Sequence, residues 1–461
     1  MVADPFVHSR GLLERVFLPR VTGRVARVTG LTVVAEGLPA PVGSFCWVQR
    51  SRATAVGAQV VGVEGDRAVL MTLEEPTAIR AGDAVTTTAG LQHVPVGRGM
   101  LGCVLDGLGR PIDGPTDFAI EAHYPVYRDA PAALARRPIG EVLATGVRSI
   151  DAMHTVGRGQ RLGIFAGTGV GKSVLMGMIA RYTAADVIVV ALVGERGREV
   201  GDFIRKELGA EGRRRCVLVV STSDESPVLR VRAAFVATAV SEYFRDLGQS
   251  VLLMMDSTTR VAMAQRQIGL SAGEPPTTKG YPPSVFGLLP RLLERSGVTE
   301  SGSITGLYTV LVEGDDVTEP VSDAVRGILD GHVWLARELA NRGHYPAVSV
   351  LESISRVMVD VVSEAHLAAA ATVRQVLAAW AEVEDLVSVG AYAPGANLRF
   401  DVAVRMKPAI DAFLQQGLGQ CSDWPETSEG LLHVASAIRT VEQELEKARA
   451  AATAGRRAKG G

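Results

Sequence analysis

Gly163-Ile-Phe-Ala-Gly-Thr-Gly-Val-Gly-Lys-Ser173 decides how this chain folds. The apolar run Leu162 to Phe165 predicts a buried strand, and Lys172-Ser173 open an apolar segment that predicts a helix. Between them, glycines let the backbone curl until its N–H groups face one point. Strand, glycine-rich turn and Lys-Ser in that order make a P-loop, a cradle for a triphosphate. The helix N-terminus adds partial positive charge at the same place. Gly167, Thr168, Gly169, Val170, Gly171, Lys172, Ser173 and Val174 are therefore the expected nucleotide-binding residues. Lys172 is placed to reach the β- and γ-phosphates, and the Ser173 hydroxyl to ligate Mg²⁺. Ala166 stands where the usual motif has its first glycine. That position precedes the turn and needs no positive φ, so alanine fits.

Outward from the P-loop, strands and helices alternate. The pattern predicts strands at 161–165, 187–193, 216–220 and 250–255, with helices at 172–183, 198–208 and 228–247. Such alternation means βαβ units on a mostly parallel sheet. In a parallel sheet the carboxyl ends of the strands share one edge, and ligands bind there. Val251-Leu-Leu-Met-Met-Asp256 ends in a carboxylate, so Asp256 is expected beside the P-loop, supporting Mg²⁺ through water. The bland alternative is a capping aspartate. The run Val187 to Val193 leads into Gly194-Glu195-Arg196-Gly197-Arg198-Glu199. Glu195 is placed to polarise a water for attack on the γ-phosphate and Arg196 to balance charge. Glu199, one helical turn on, is an expected metal-side carboxylate. A solvated charge run at a helix start is the competing reading.

The expected organisation has four parts: an N-terminal segment 1–20, a β-barrel 21–92, a P-loop nucleotide-binding α/β domain 93–364 and a C-terminal helical domain 365–461. Phe6, Val7, Leu12, Leu13, Val16 and Phe17 would line one face of a short helix, docked on a partner or folded back on the barrel. Short β-rich runs at 23–28, 31–35, 45–48, 59–63, 68–72 and 84–88, punctuated by turn signals, predict a small closed barrel. Its only aromatics are Phe45 and Trp47, so a structural barrel is preferred over an RNA-binding one. A Gly/Pro-rich connector runs from His93 to about Thr145, and the end of the chain is helical at 365–389, about 400–416 and 427–451.

Composition narrows the function classes. Hydrophobic residues at 47% and charged residues at 21% describe a well-cored globular chain. A formal net charge of −2 leaves no footprint for nucleic acid or an anionic membrane. Cys46, Cys103, Cys216 and Cys421 are scattered without metal-ligand spacing and are expected to be reduced thiols of a cytosolic protein. Neither a leader-like opening nor a run long enough to cross a bilayer is seen, so any membrane role is expected to come through partners.

Several further stretches are family-restricted: Gly157-Arg-Gly-Gln-Arg161, Gly194-Glu-Arg-Gly-Arg-Glu-Val200, Thr278-Lys-Gly-Tyr-Pro-Pro-Ser-Val-Phe286, Gly302-Ser-Ile-Thr305, Val312-Glu-Gly-Asp-Asp316 and Gly343-His-Tyr-Pro-Ala347. With the P-loop they make residues from about 20 to 450 resemble the ATPase family of the rotary ATP synthase subunits, the terminator Rho and the type III export ATPases, most of all the last. The resemblance implies a RecA-like core and a homohexameric ring with sites at subunit interfaces. It implies Glu195 as general base and Arg356, in Ser353-Ile-Ser-Arg-Val-Met358, as an arginine finger for the neighbouring subunit's γ-phosphate. It further implies Tyr345 packed on adenine and Arg260 near the phosphates. A surface salt bridge for Arg356 and a plain core tyrosine for Tyr345 are the structural alternatives.

Among export ATPases, Val325-Arg-Gly-Ile-Leu-Asp-Gly-His332, Leu386-Val-Ser-Val-Gly-Ala-Tyr392 and Gly30-Leu-Thr-Val-Val-Ala-Glu36 resemble the flagellar kind more than the injectisome kind. Ala393-Pro-Gly-Ala-Asn-Leu-Arg-Phe-Asp401 and Val404-Arg-Met-Lys407 depart from the family's usual segments. The expected partners are a regulator and stalk proteins of the export apparatus, chaperone–substrate complexes and, through others, a membrane export gate at the inner face of the cytoplasmic membrane. No nucleic acid is expected. The other readings are a rotary synthase catalytic subunit, a nucleic-acid motor, and a binding-only regulator with a dead site.

Overall fold

The structure is a computed structural model that describes residues 21–50, 53–88, 92–312 and 319–459. The expected helix at 6–18 and most of Val312–Asp316 lie outside them. Six antiparallel strands, β1 (Thr22–Thr29), β2 (Thr32–Glu36), β3 (Phe45–Arg50), β4 (Ala53–Glu64), β5 (Arg67–Thr72) and β6 (Ala84–Thr88), close into a barrel in the order β1-β2-β5-β4-β3-β6. Val33, Cys46, Val48, Ala58, Leu70 and Val85 fill its interior. The Gly/Pro-rich stretch that follows is not only connector. It carries β7 (His93–Val96) and β10 (Ala122–Pro125), which pair with each other. It also carries β8 (Val104–Leu105) and β9 (Pro111–Asp113), which extend the main sheet.

The main sheet adds β11 (Arg161–Ala166), β12 (Val187–Val193), β13 (Cys216–Ser221), β14 (Ser250–Asp256), β15 (Gly297–Val298), β16 (Ser303–Leu311), β17 (Gly331–Leu335) and β18 (Val348–Ser355). Ten strands result among the described residues, in the order β18-β17-β11-β16-β14-β12-β13-β8-β9, with β15 against β16. From β17 to β8 the pairs are parallel, whereas β18 runs antiparallel to β17 at one edge. Every residue of β12, β13 and β14 is buried, the signature of a sheet covered on both faces.

The covering helices are α1 (Arg148–Met153), α2 (Lys172–Tyr182), α3 (Gly197–Asp202), α4 (Pro227–Asp246), α5 (Thr258–Ser271), α6 (Pro283–Leu293), α7 (Pro320–Ile328) and α8 (Arg337–Asn341). α3 runs on through a π-helical stretch, Phe203–Leu208. α9 (Glu364–Ser388), α10 (Leu398–Leu414) and α11 (Trp424–Lys459) form the C-terminal helical part. They bury Ala369, Val373, Met406, Ile410, Leu431 and Ile438 against Ala152 and Met153 of α1. No helix among the described residues is long and apolar enough to cross a membrane. Cys46, Cys103 and Cys216 are buried free thiols, and Cys421 is a free thiol at the surface.

Candidate functional site

β11 ends at Ala166, which is wholly buried in extended backbone, so the missing glycine removes nothing. The turn after it requires left-handed backbone at Gly169 (φ 78°) and Gly171 (φ 92°), where a side chain would be strained. Gly171 caps α2, so Lys172 and Ser173 begin the helix and its first N–H groups face the turn. Gly167 and Val170 are buried, while Thr168, Gly169 and Ser173 line the exposed mouth.

Three strand ends at one edge of the sheet bring the polar groups together. Lys172 Nζ forms an ion pair with Asp256 Oδ1 and lies 3.9 Å from Glu195 Oε1. These three side chains are between 6% and 12% exposed, so their charges interact in a weakly screened environment. Glu195 also accepts a hydrogen bond from Arg260 Nε at 3.1 Å. Arg260 comes from the first turn of α5 and crosses Gly194, where an added Cβ would meet its Cδ at 2.9 Å. Burial first, then the charge of Asp256, push the Glu195 carboxyl up to about 7, against the opposing pull of Lys172. A hydrogen bond to the Glu199 carboxyl adds to the rise. Glu199 thus sits beside Glu195, pairing also with Arg196 at 3.5 Å. Arg196 is different: its side chain is 77% exposed and turns to Glu199, away from the buried cluster.

Beside the P-loop, a cavity of about 350 Å³ is lined by Val170, Val174, Met178, Tyr345 and Leu418 among others. The Tyr345 ring is 43% exposed and passes 3.6 Å from where a Cβ on Gly171 would stand. A largely apolar cavity against the phosphate cradle suits an adenine ring.

Arg356 lies elsewhere. β18 runs backwards, so Ser355 is level with Gly331, four residues of strand below Leu335 and the Ala166 level. At ~3.3 Å per residue this puts the start of the P-loop about 13 Å further along the sheet. Arg356 is exposed, with its Nη1 3.4 Å from the Leu329 carbonyl. Its backbone is braced: its N–H donates to the Asp330 carbonyl at 3.0 Å, and Arg161 grips the Asp330 carboxylate at 2.9 and 3.1 Å. Gln160 donates to Ser355 Oγ at 3.0 Å. The Gly157–Arg161 motif therefore holds the strand that carries Arg356.

Two side chains escaped the sequence reading. Thr309 of β16 donates its hydroxyl to Asp256 Oδ1 at 2.7 Å, and Arg337 at the start of α8 donates to the Thr168 carbonyl at 3.1 Å. Both act from elements far away in sequence, and no local pattern marks them.

A phosphate cradle at a parallel sheet edge, with a lysine and two carboxylates converging on it, defines a P-loop nucleotide-binding domain. Residues 146–355 match the ATP synthase alpha/beta family, nucleotide-binding domain, and residues 362–433 the T3SS EscN ATPase C-terminal domain. The chain is 51% identical over 397 residues to the flagellum-specific ATP synthase of Bacillus subtilis, covering 86% of this chain and 91% of that one. It is 49% identical to the flagellum-specific ATP synthase of Salmonella typhimurium, over 93% and 96% of the two chains. Assembled EscN from the enteropathogenic E. coli type III secretion system superposes with a TM-score of 0.85 at 42% identity, over 90% of this chain and all of that one. The chain belongs to the ATP synthase alpha/beta family, in the branch of flagellum-specific ATP synthases and type 3 secretion system ATPases. Membership makes it an ATPase with a nucleotide-binding core. The C-terminal match spans Ala393–Asp401 and Val404–Lys407, so their departure from the usual segments leaves the helical part in place.

Proposed function

We propose that this chain is the Mg-ATP-hydrolysing motor of a flagellar-type protein export apparatus, acting as a homohexameric ring at the inner face of the cytoplasmic membrane. One observation carries the reading: a single chain holds both the Lys172–Glu195–Asp256 cluster and, at the far end of the same sheet, an exposed arginine braced in position. An arginine so far from its own P-loop serves the site of a neighbour. A ring of one chain type then has every part, whereas a synthase divides them between two subunits.

In this reading Lys172 balances the β- and γ-phosphates. The Glu195 carboxylate takes a proton from the attacking water, and Arg356 of the adjoining protomer meets the charge developing on the γ-phosphoryl group. The Ser173 hydroxyl and the Asp256 carboxylate are hard oxygen donors that suit Mg²⁺, a cation that keeps water and phosphate among its ligands. Bound there, Mg²⁺ supplies neutralisation of phosphate charge. Tyr345 packs on the adenine, and Arg260 holds Glu195 in place. Arg196 has no part beyond its pair with Glu199.

Exposed Leu351 and Ile354 on β18, with Val359 just beyond Arg356, support the ring, because β18 is the sheet edge and leaves apolar side chains in water near the arginine. EscN has been described in complex with its central stalk EscO, at 41% identity to this chain. A stalk, a regulator, chaperone–substrate complexes and a membrane gate are the partners proposed here. Purified alone, the chain is expected to release phosphate from ATP with an activity per chain that rises with concentration as rings assemble. Activity that stays flat from dilute to concentrated protein overturns the shared site.

An injectisome ATPase is the second reading. The type 3 secretion system ATPase of Xanthomonas euvesicatoria, at 49% identity, stands nearly level with the flagellar relatives. Restoration of swimming to a bacterium lacking its own flagellar ATPase decides for the flagellar reading; restoration of effector secretion alone decides for the other.

A further inference from the structure

We infer that Gln416 is a positioning residue for the nucleotide base, an assignment that rests on the nucleotide reading above. It fixes one wall of the cavity beside the P-loop without itself reading the base or touching the phosphates.

Gln416, Gly417 and Leu418 follow α10 and form the side of the cavity contributed by the helical part; Tyr345 and the P-loop form the other. Gln416 is 4% exposed, and both ends of its side-chain amide are bonded. Its Oε1 accepts from the Arg148 N–H at 2.8 Å. Its Nε2 donates to the Gly146 carbonyl at 2.8 Å and to the Gln420 carbonyl at 2.7 Å. Its backbone N–H donates to the Tyr345 carbonyl at 3.0 Å. One residue therefore ties the helical part to the core, and both to the tyrosine facing it across the slot.

The anchor is itself held. Buried Asp151 accepts from the Thr145 N–H at 2.9 Å, the Thr145 hydroxyl at 2.8 Å and the Gly146 N–H at 3.0 Å, which fixes the carbonyl that Gln416 grips. With both amide hydrogens in use, Gln416 cannot donate a hydrogen bond to a base edge through its side chain. Its effect is on the width and rigidity of the slot. A pre-formed slot raises affinity by removing the cost of ordering its walls.

Gln416→Met keeps the volume and removes three hydrogen bonds. The test is steady-state hydrolysis by the full chain, paired with inhibition by inorganic tripolyphosphate, which has the phosphates and no base. The loss of fixed hydrogen bonds worth ~1.4 kcal/mol corresponds to a KM for ATP raised about tenfold. Turnover at saturation and tripolyphosphate inhibition are expected to stay as in the parent. Equal weakening toward tripolyphosphate, or an unchanged KM, overturns the assignment. Should Q416M not fold, Leu418→Ala decides. Its side chain is 55% exposed on the same wall, and only its carbonyl is used, by Arg181 and Tyr182. A raised KM with unaltered tripolyphosphate inhibition supports the wall, and no change in KM overturns it. A parent chain that neither hydrolyses ATP nor responds to tripolyphosphate refutes the nucleotide reading itself, a result distinct from either.

Discussion

The two ends of the central sheet are built on opposite plans. At the carboxyl edge, β11, β12 and β14 deliver Lys172, Glu195 and Asp256 into a nearly closed cluster where every charge has a partner. At the other end, Arg356 leaves the edge strand exposed, flanked by exposed Ile354 and Val359. Unpaired charges are costly to bury. A chain can therefore hold its own binding cluster in a closed interior, and the proposed role of Arg356 in a neighbour's site fits its place at the surface. In the reading proposed above, the contrast separates binding from hydrolysis: one end holds the nucleotide, and both ends, from two copies, turn it over.

The largest expected effects are at Glu195 and Arg356. Glu195→Gln is expected to retain ATP binding and to lose turnover by ~10²–10⁴-fold, the range for a removed general base. Phosphate release beside equilibrium nucleotide binding checks both, and unaltered turnover places the base elsewhere. Arg356→Ala is expected to cut turnover by ~10³-fold or more. Mixing it with Lys172→Ala sharpens the comparison. Neither variant is active alone, yet mixed rings contain interfaces where an intact P-loop meets an intact arginine. Recovery of activity on mixing supports transfer between subunits, and a dead mixture refutes it.

The pH dependence follows from the buried end as well. A base with its carboxyl at about 7 is mostly protonated below that value, so kcat/KM is expected to fall as pH drops from 8 to 6. Stability has the opposite sign. The folded chain holds a proton on Glu195 between the ordinary 4.5 and about 7 that the unfolded chain releases, so this group's contribution falls as pH rises through that window. Thermal melts of Glu195→Gln against the parent are expected to favour the variant more at pH 8 than at pH 4.5. The smallest effect is expected for Thr309→Val, which takes one neutral hydroxyl from Asp256. Loss of ~1 kcal/mol means turnover reduced about fivefold with the fold intact, measured by melting and phosphate release together.

Much of the carboxyl-edge site was legible because it is local. A P-loop is contiguous, and Glu195 and Asp256 each follow an apolar run whose end falls at a known edge of a parallel sheet. The helices and strands from 161 to 256 were legible from apolar periodicity, and the barrel from its turn signals. What was missed is non-local. Ser303–Leu311 is not among the strands the sequence predicts, yet β16 inserts between β11 and β14 and brings Thr309 to Asp256. Arg337 reaches Thr168 only because β17 lies beside β11. Arg196, adjacent to Glu195 in sequence, turns outward because it caps α3 with extended backbone before the helix begins.

By itself, the sequence determined the class of chemistry. Glycines, lysine, serine and two strand-terminal carboxylates have that spacing because phosphate binding needs it, and the motif is read without knowing what packs on what. Tertiary structure decided which charges meet and which face outward. That depends on the order and direction of strands, and above all on β18 running backwards along the edge. Direction in a sheet is set by packing and connection between distant segments, which no local pattern encodes.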